Sequence, residues 1–369
     1  MKDVILIANA GSSSLKISVF ETKDTKIKDK IYNIFLEKND TKIVFHINKK
    51  QESITEINGD AISAMIELFE SWWRNQKDLH LIATGHRIVH GGKNFNKPVL
   101  IDHKISEDLK ALIPLSPLHQ PYNLKVLDLF LQKYKAVHHI ACFDTSFHFT
   151  NPPIAKAFGL PKKYYDKGVI RYGFHGLSYK YVSSHFKEMT QKDLPEKTII
   201  AHLGSGSSLC AIKNGISLAS SMGFSVLDGV MMGTRTGSLD PGVVLYLLDH
   251  EKMTTAEITD LLYKKSGLLG ISGESSDMRT LLASNNPDAK FAAALEGLDC
   301  LIFTAGVGQN SAIIRDMISD KLLWLGIKID DAKNQKNEYI ISTENSKVKV
   351  FALPTNEELI IAEEVMRFL

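Results

Sequence analysis

Ile199-Ile200-Ala201-His202-Leu203-Gly204-Ser205-Gly206-Ser207-Ser208-Leu209-Cys210-Ala211-Ile212 is an apolar run, a Gly/Ser turn and a second apolar run. Short apolar runs bounded by such turn residues read as the two strands of a hairpin. The N-terminus carries the same pattern, Val4 to Ala8, then Asn9-Ala10-Gly11-Ser12-Ser13-Ser14, then Leu15 to Phe20 in alternation, so residues 3–20 also read as a hairpin. Setting Gly11 on Gly206 brings Ser12-Ser13 onto Ser207-Ser208, an offset of 195 residues. The chain therefore reads as two halves, each opened by strand, turn and strand.

Outward from the two hairpins, strands and helices alternate. Ala61 to Trp73, Ile105 to Ile113 and Asn123 to Tyr134 have helical spacing, while Leu81 to Ala83 and His139 to Phe143 read as strands. In the second half Gly242 to Asp249, Thr255 to Lys264 and Asn310 to Asp320 read as helices. Leu301 to Thr304 and Lys347 to Ala352 read as strands. This alternation predicts an α/β architecture in both halves. Asn151-Pro152-Pro153 sets the boundary near 150, giving lobes 1–150 and 151–357, with helix 358–369 expected to return to the first. Charged residues 21–60 carry no motif and read as solvated strands and turns.

The balance of 44 basic and 42 acidic side chains leaves +2, too little field to hold nucleic acid against counterions. Val4 to Ala8 is too short for a signal-peptide core, and no apolar stretch approaches the ~18 residues of a membrane span, so a soluble cytoplasmic protein is expected. Cys142, Cys210 and Cys300 are odd in number and far apart, which predicts buried thiols. His138, His139 and His148 have no cysteine partners and are read as strand positions facing opposite ways, so no metal site is expected there.

Three Gly/Ser turns follow apolar strands, at 9–14, 204–208 and 305–310. Backbone N–H groups in such turns cradle phosphates, with serine hydroxyls as extra donors and Lys16 as a charge. One alone usually just reverses the chain. Three on a duplicated α/β chain point to a nucleotide between two lobes, the actin-like, ribonuclease H-like ATPase architecture of actin, sugar kinases and heat-shock chaperones. No Walker loop or G-x-G-x-x-G occurs. Arg87, Asp144, His175, Arg235 and Glu357 suit phosphoryl transfer. Arginine forks hold carboxylate or phosphoryl oxygens, Asp144 ends a strand where ligands of α/β sheets gather, and His175 between two glycines can donate to a developing oxyanion. The plainer readings are surface ion pairs, an N-cap and a packed histidine.

Asn9-Ala10-Gly11-Ser12-Ser13-Ser14-Leu15-Lys16 and Phe174-His175-Gly176-Leu177-Ser178 resemble the two signatures of the acetate kinase family. His86-Arg87-Ile88-Val89-His90-Gly91-Gly92, Phe143-Asp144-Thr145-Ser146-Phe147-His148, Met232-Gly233-Thr234-Arg235-Thr236-Gly237, Ser275-Ser276-Asp277-Met278-Arg279 and Pro354-Thr355-Asn356-Glu357-Glu358 match in order, from residue 3 to the C-terminus. The resemblance implies reversible transfer of the ATP γ-phosphoryl to acetate with Mg²⁺, or Mn²⁺ in its place, by a cytoplasmic homodimer. It implies that Arg87 and Arg235 hold the carboxylate and the phosphoryl group and that His175 bonds the latter's equatorial oxygens. Asp144, Glu357 and Asn9 would serve the metal and substrate, and Ser12, Ser14 and Lys16 the phosphate end. His202, Gly204, Ser205, Gly206, Gly306, Gly308 and Asn310 would approach the nucleotide phosphates, and Asp277, Met278 and Arg279 the adenosine. Val89 and Leu118, with His119 beside them, would enclose the acetate methyl.

Ser205, Gln309 and Val226 stand where the family usually has Asn, Glu and Pro. Arg279 to Leu301 encloses 21 residues, where relatives have about twice as many. Asp288 to Gly297 can still form a helix of ~15 Å. The alternatives are a propionate or other short-chain acyl kinase, and a nucleotide-binding protein impaired by the shortened 280–300 segment.

Overall fold

The computed structural model describes every residue except 25, 58, 278–279, 282–299 and 324–325, and the side chain of 321. The chain forms two compact units, one of Met1–Ser146 with Asn356–Leu369, the other Phe147–Thr355.

The first unit is built on strands β1 (Lys2–Ala10), β2 (Ser14–Lys23), β3 (Lys26–Asn39), β4 (Lys42–Ile47), β5 (Lys50–Glu56), β6 (Leu79–Ile88), β7 (Val99–Leu100) and β8 (His138–Phe143). They form one sheet in the order β5-β4-β3-β2-β1-β6-β8-β7. β1 and β2 pair antiparallel with Ala10 opposite Leu15, whereas β1, β6 and β8 run parallel. A central strand buries both faces, which is why Val4 to Ala8 is apolar without alternation and buried throughout. Residues 21–60, read as solvated, supply three further strands of this sheet, with Ile34, Leu36, Ile43 and Phe45 in its core.

Helix Ala61–Trp73 starts where Asp60 accepts the Ser63 N–H at 2.6 Å, and its Ile62, Met65, Ile66 and Phe69 face the sheet at helical spacing. The helix expected over 105–113 instead begins at His103, capped by Asp102, and ends at Lys110 before Pro114 enters a 3₁₀ turn. Helix Glu357–Met366 packs on β1, β6 and β8. Gly85 on β6 makes room for it, because a Cβ there would stand 2.5 Å from Ile361 and 2.7 Å from Val365.

The second unit repeats the plan with β9 (Lys197–Leu203), β10 (Ser207–Lys213), β11 (Ile216–Ser220), β12 (Cys300–Thr304) and β13 (Lys349–Ala352), in the order β11-β10-β9-β12-β13. β9 and β10 pair antiparallel, and β9, β12 and β13 run parallel. The run β3-β2-β1-β6-β8 thus corresponds to β11-β10-β9-β12-β13, with the Gly11 and Gly206 turns in equivalent places. Helix Gly176–Thr190 sends Tyr179, Val182 and Phe186 into the core with Ile200, Cys210 and Phe351. Thr254 and Glu257 close a capping box on helix Thr255–Lys264.

Two further readings need correction. Residues 305–310 are not a turn like the other two: Ala305–Asn310 is a helix, entered through Ala305 at φ +60°. His148 lies on a 3₁₀ helix, Ser146–Thr150, not on a strand. All three cysteines are buried and none is in a disulfide, and burial pushes the Cys210 thiol up to about 12. The helix considered for 288–297 lies outside the described residues.

Candidate active site

In the first unit the carboxyl ends of three adjacent parallel strands carry Asn9, Arg87 and Asp144. Register places Ala8 beside His86 and Arg87 beside Cys142, and the Asp144 N–H continues the pairing to the Ile88 carbonyl at 3.1 Å. The Arg87 fork grips Asp144, Nε reaching its carboxylate oxygens at 3.0 and 3.1 Å and Nη2 reaching Oδ2 at 2.6 Å. Arg87 Nη1 donates to Asn9 Oδ1 at 3.1 Å, and Glu357 Oε2 stands 3.6 Å from Nε. Burial alone would ease the proton off Arg87. Asp144 and Glu357 more than offset it, so the guanidinium is held charged.

The turn beyond β1 closes through Gly11 N–H to Ser14 O at 2.8 Å, leaving Ser12 exposed. The Lys16 ammonium pairs with the buried Glu358 carboxylate, and Lys30 stands 3.9 Å from that carboxylate's other oxygen. Burial raises Glu358, but Lys16 and Lys30 outweigh it and keep the carboxyl below its usual range. The loop after β6 is laced to helix Gln120–Lys133. Asn123 accepts the Val89 N–H at 3.0 Å and donates to Ala10 O at 2.8 Å, and Gln120 clasps both the N–H and the carbonyl of His90. Val89 is buried here, and Leu118 and His119, at the entry to this helix, are half-buried.

The second unit gathers another group. An ideal Cβ on Gly206 would lie 3.2 Å from Arg235 Nη2 and 3.3 Å from His175 Nε2, so both side chains border the bare backbone of the 204–206 turn. His175 caps helix Gly176–Thr190 in the left-handed region, φ +58°, a costly backbone for histidine. His148 secures the preceding residues: its Nε2 bonds the Phe174 carbonyl at 2.9 Å, and its ring fills the space where a Gly173 Cβ would stand. The His175 and His202 rings stack at 4.1 Å, and His202 Nδ1 bonds Ser178 Oγ at 2.8 Å. Arg235 Nη1 donates to the carbonyl of Val226 at 2.9 Å.

Gly204 approaches Ala305, and the Gly233 N–H reaches Ser205 O at 3.4 Å. Gly308 packs on Leu203, whereas Gly306 and Asn310 are exposed and bonded to each other, Asn310 Nδ2 to Gly306 O at 2.9 Å. Asp277 is half-buried with its N–H on Ser275 Oγ, and Met278 and Arg279 lie outside the described residues.

Three residues escaped sequence reading. Tyr179 and Ser208 hold His175, and their signal was present: Tyr179 follows His175 by four on one helix face, and Ser208 is the counterpart of Ser13. Arg315 is fully buried and gives all its bonds to oxygens of Gly308, Gln309, Asn334 and Asn337, clamping the carboxyl end of helix Ala305–Asn310. Nothing in the sequence marks it.

A profile of the acetokinase family matches residues 4–363. The chain belongs to the acetokinase family. The acetate kinase of Rickettsia felis is 80% identical, with 100% of both chains covered. That alignment spans 385 positions against 369 residues here. Among solved structures, a Francisella tularensis propionate kinase superposes with TM-score 0.89 at 34% identity, and Porphyromonas gingivalis acetate kinase with TM-score 0.84 at 34%, each covering 99% of both chains. The duplicated α/β architecture is therefore that of the family. Among the described residues no helix is long and apolar enough to cross a membrane.

Proposed function

We propose that the chain is an acetate kinase that moves the ATP γ-phosphoryl to acetate, reversibly and by direct in-line transfer. Family membership over nearly the whole chain supports it, and one geometric observation carries it: each unit presents an arginine in a polar setting suited to an oxyanion, Arg87 among Asn9, Asp144 and Glu357, and Arg235 beside His175 and the Gly206 backbone. A carboxylate acceptor is already ionised at pH 7 and needs no general base. The work left is positioning and neutralising charge.

In this reading Arg87 takes the acetate carboxylate, with Asp144 holding the fork's orientation. Arg235 takes the transferring phosphoryl group, and His175 donates from Nε2 to its equatorial oxygens. The bare backbone of Gly204 and Gly206 lets the nucleotide phosphates approach. Asn9, Asp144 and Glu357 offer oxygen alone, the donor set of a hard dication, so these residues fit Mg²⁺, or Mn²⁺, held also by phosphate and water. Among the described residues no cluster of three or more His, Cys, Asp or Glu forms a cage of its own. Bound Mg²⁺ supplies neutralisation of the phosphoryl oxygens. Val89 and Leu118 limit the acyl group, with His119 beside them.

Helix Pro241–Asp249 buries none of its residues and exposes Val243, Leu245 and Tyr246. Such a surface supports a homodimer, which light scattering at assay concentrations would detect. A second reading, propionate as the acyl acceptor, draws on the propionate kinase likeness and on Val226, whose carbonyl Arg235 holds.

Trapping the acyl phosphate as hydroxamate, with ATP, Mg²⁺ and acetate, propionate or butyrate, tests both readings. Acetyl hydroxamate should dominate. No hydroxamate from any acid, with nucleotide still bound, would leave a nucleotide-binding protein without transferase activity.

A further inference from the structure

Behind His175, on the side away from Gly206, lies a pair of hydroxyls that the transfer chemistry does not itself require. His175 Nδ1 stands 2.7 Å from Ser208 Oγ, and Ser208 Oγ in turn bonds the Tyr179 hydroxyl. Ser208 and Tyr179 are both fully buried, so bulk solvent does not reach their hydroxyls. Each hydroxyl has one proton to give. That makes the direction of the chain decidable.

Ser208 is the hydrogen-bond partner of the Tyr179 hydroxyl, and no other is present among the described residues. If Tyr179 accepted from Ser208, its own O–H would be a buried donor with nothing to meet, an arrangement that costs about 1–3 kcal/mol. Tyr179 therefore donates to Ser208. The serine has a single proton, and the remaining acceptor within reach is His175 Nδ1, so Ser208 donates to it. A ring nitrogen that accepts carries no proton, which leaves the neutral imidazole's proton on Nε2, the nitrogen bordering Gly206 and Arg235. The stacked His202 ring, tied to Ser178, holds the plane of His175 from its face.

We propose that Tyr179 and Ser208 are positioning residues that fix His175 as the Nε2–H tautomer, so that a donor already faces the transferring phosphoryl group before it arrives. This rests on the reading of His175 as a phosphoryl-oxygen donor. Its physical merit is preorganisation: no proton has to move and no ring has to turn as charge develops.

The test is to read the tautomer directly. In full-length protein labelled with ¹⁵N-histidine, long-range ¹H–¹⁵N correlation separates protonated from bare ring nitrogens, and His175→Gln assigns the signal. The unmodified protein should show a bare Nδ1 and a protonated Nε2. In Ser208→Ala the two shifts should draw together, whereas in Tyr179→Phe, where Ser208 still has His175 Nδ1 to donate to, they should move less. Turnover should fall about 10-fold, less than the 10²–10³ of deleting an oxyanion donor, with KM for ATP and acetate held within about twofold, the signature of a transition-state interaction. Protonated Nδ1 in the unmodified protein overturns the inference without need of any variant, as do unmoved shifts in Ser208→Ala. Undiminished turnover in His175→Ala would instead remove the role given to His175 and leave the tautomer result standing.

Discussion

Replacing Arg87 with methionine should damage stability and turnover for separable reasons. Asp144 is 1% exposed, and the guanidinium meets both its oxygens at 2.6 to 3.1 Å. Arg87→Met leaves that carboxylate buried without its cation, a loss of about 3–5 kcal/mol when one partner of a buried pair is removed. At about 2–4 °C per kcal/mol for a domain of this size, the melting temperature should fall by about 6–20 °C. Adding Asp144→Asn removes the buried charge, so Arg87→Met/Asp144→Asn should recover more than half of that loss. Turnover behaves differently: the single variant should lose about 10²–10³-fold, and the double variant should regain none of it. Scanning fluorimetry and the hydroxamate assay on the same preparations read both quantities. If Arg87→Met melts within about 2 °C of the unmodified protein, less than 1 kcal/mol on this scale, or the double variant melts no higher than the single, the pair is not the buried linchpin described here.

Burial pushes His90 and His148 down to about 4 and lowers His86 and His139 as well, whereas an unfolded chain takes up those protons near 6.5. Their stabilising contribution is complete above pH 6.5 and lost as pH falls toward 4, so the melting temperature should drop from pH 7 to pH 5; a flat or rising profile counts against it. Arg315→Met strands the carbonyls that Arg315 satisfies and should cost at least about 3 kcal/mol in denaturant unfolding, with a near-neutral result showing that the clamp is dispensable. For acyl length, if Val89 and Leu118 enclose the acyl group as proposed, kcat/KM should favour acetate over propionate by roughly 10-fold, since forcing a methylene into a filled pocket is costly. Val89→Ala should narrow or invert that ratio, and better use of propionate by the unmodified protein moves the assignment to the second reading.

The duplicated hairpins were legible because a strand, a Gly/Ser turn and a strand form a local signal that burial of β1 and β9 reinforces. Helix Ala61–Trp73 was readable to the residue, since Asp60 and a single apolar stripe mark its start and its face. Helix Ala305–Asn310 was missed because glycine argues against helix, and a left-handed Ala305 is invisible in a sequence. Arg87 and Asp144 stood out by motif, but their grip on one another is a product of parallel register between β6 and β8. Arg315 shows the limit most sharply: its role depends on carbonyls of four residues brought together by the fold, and no local pattern encodes that.

The burial of all three cysteines has a practical side. A thiol reacts as its thiolate, and Cys210, pushed up to about 12, is almost wholly protonated at neutral pH, while Cys142 and Cys300 are shut away in strand cores. A cysteine placed on an exposed strand or helix would be the fast-reacting thiol among the described positions. The native chain is thus a ready background for site-specific spectroscopic labels, with none of its own sulfur to be engineered away.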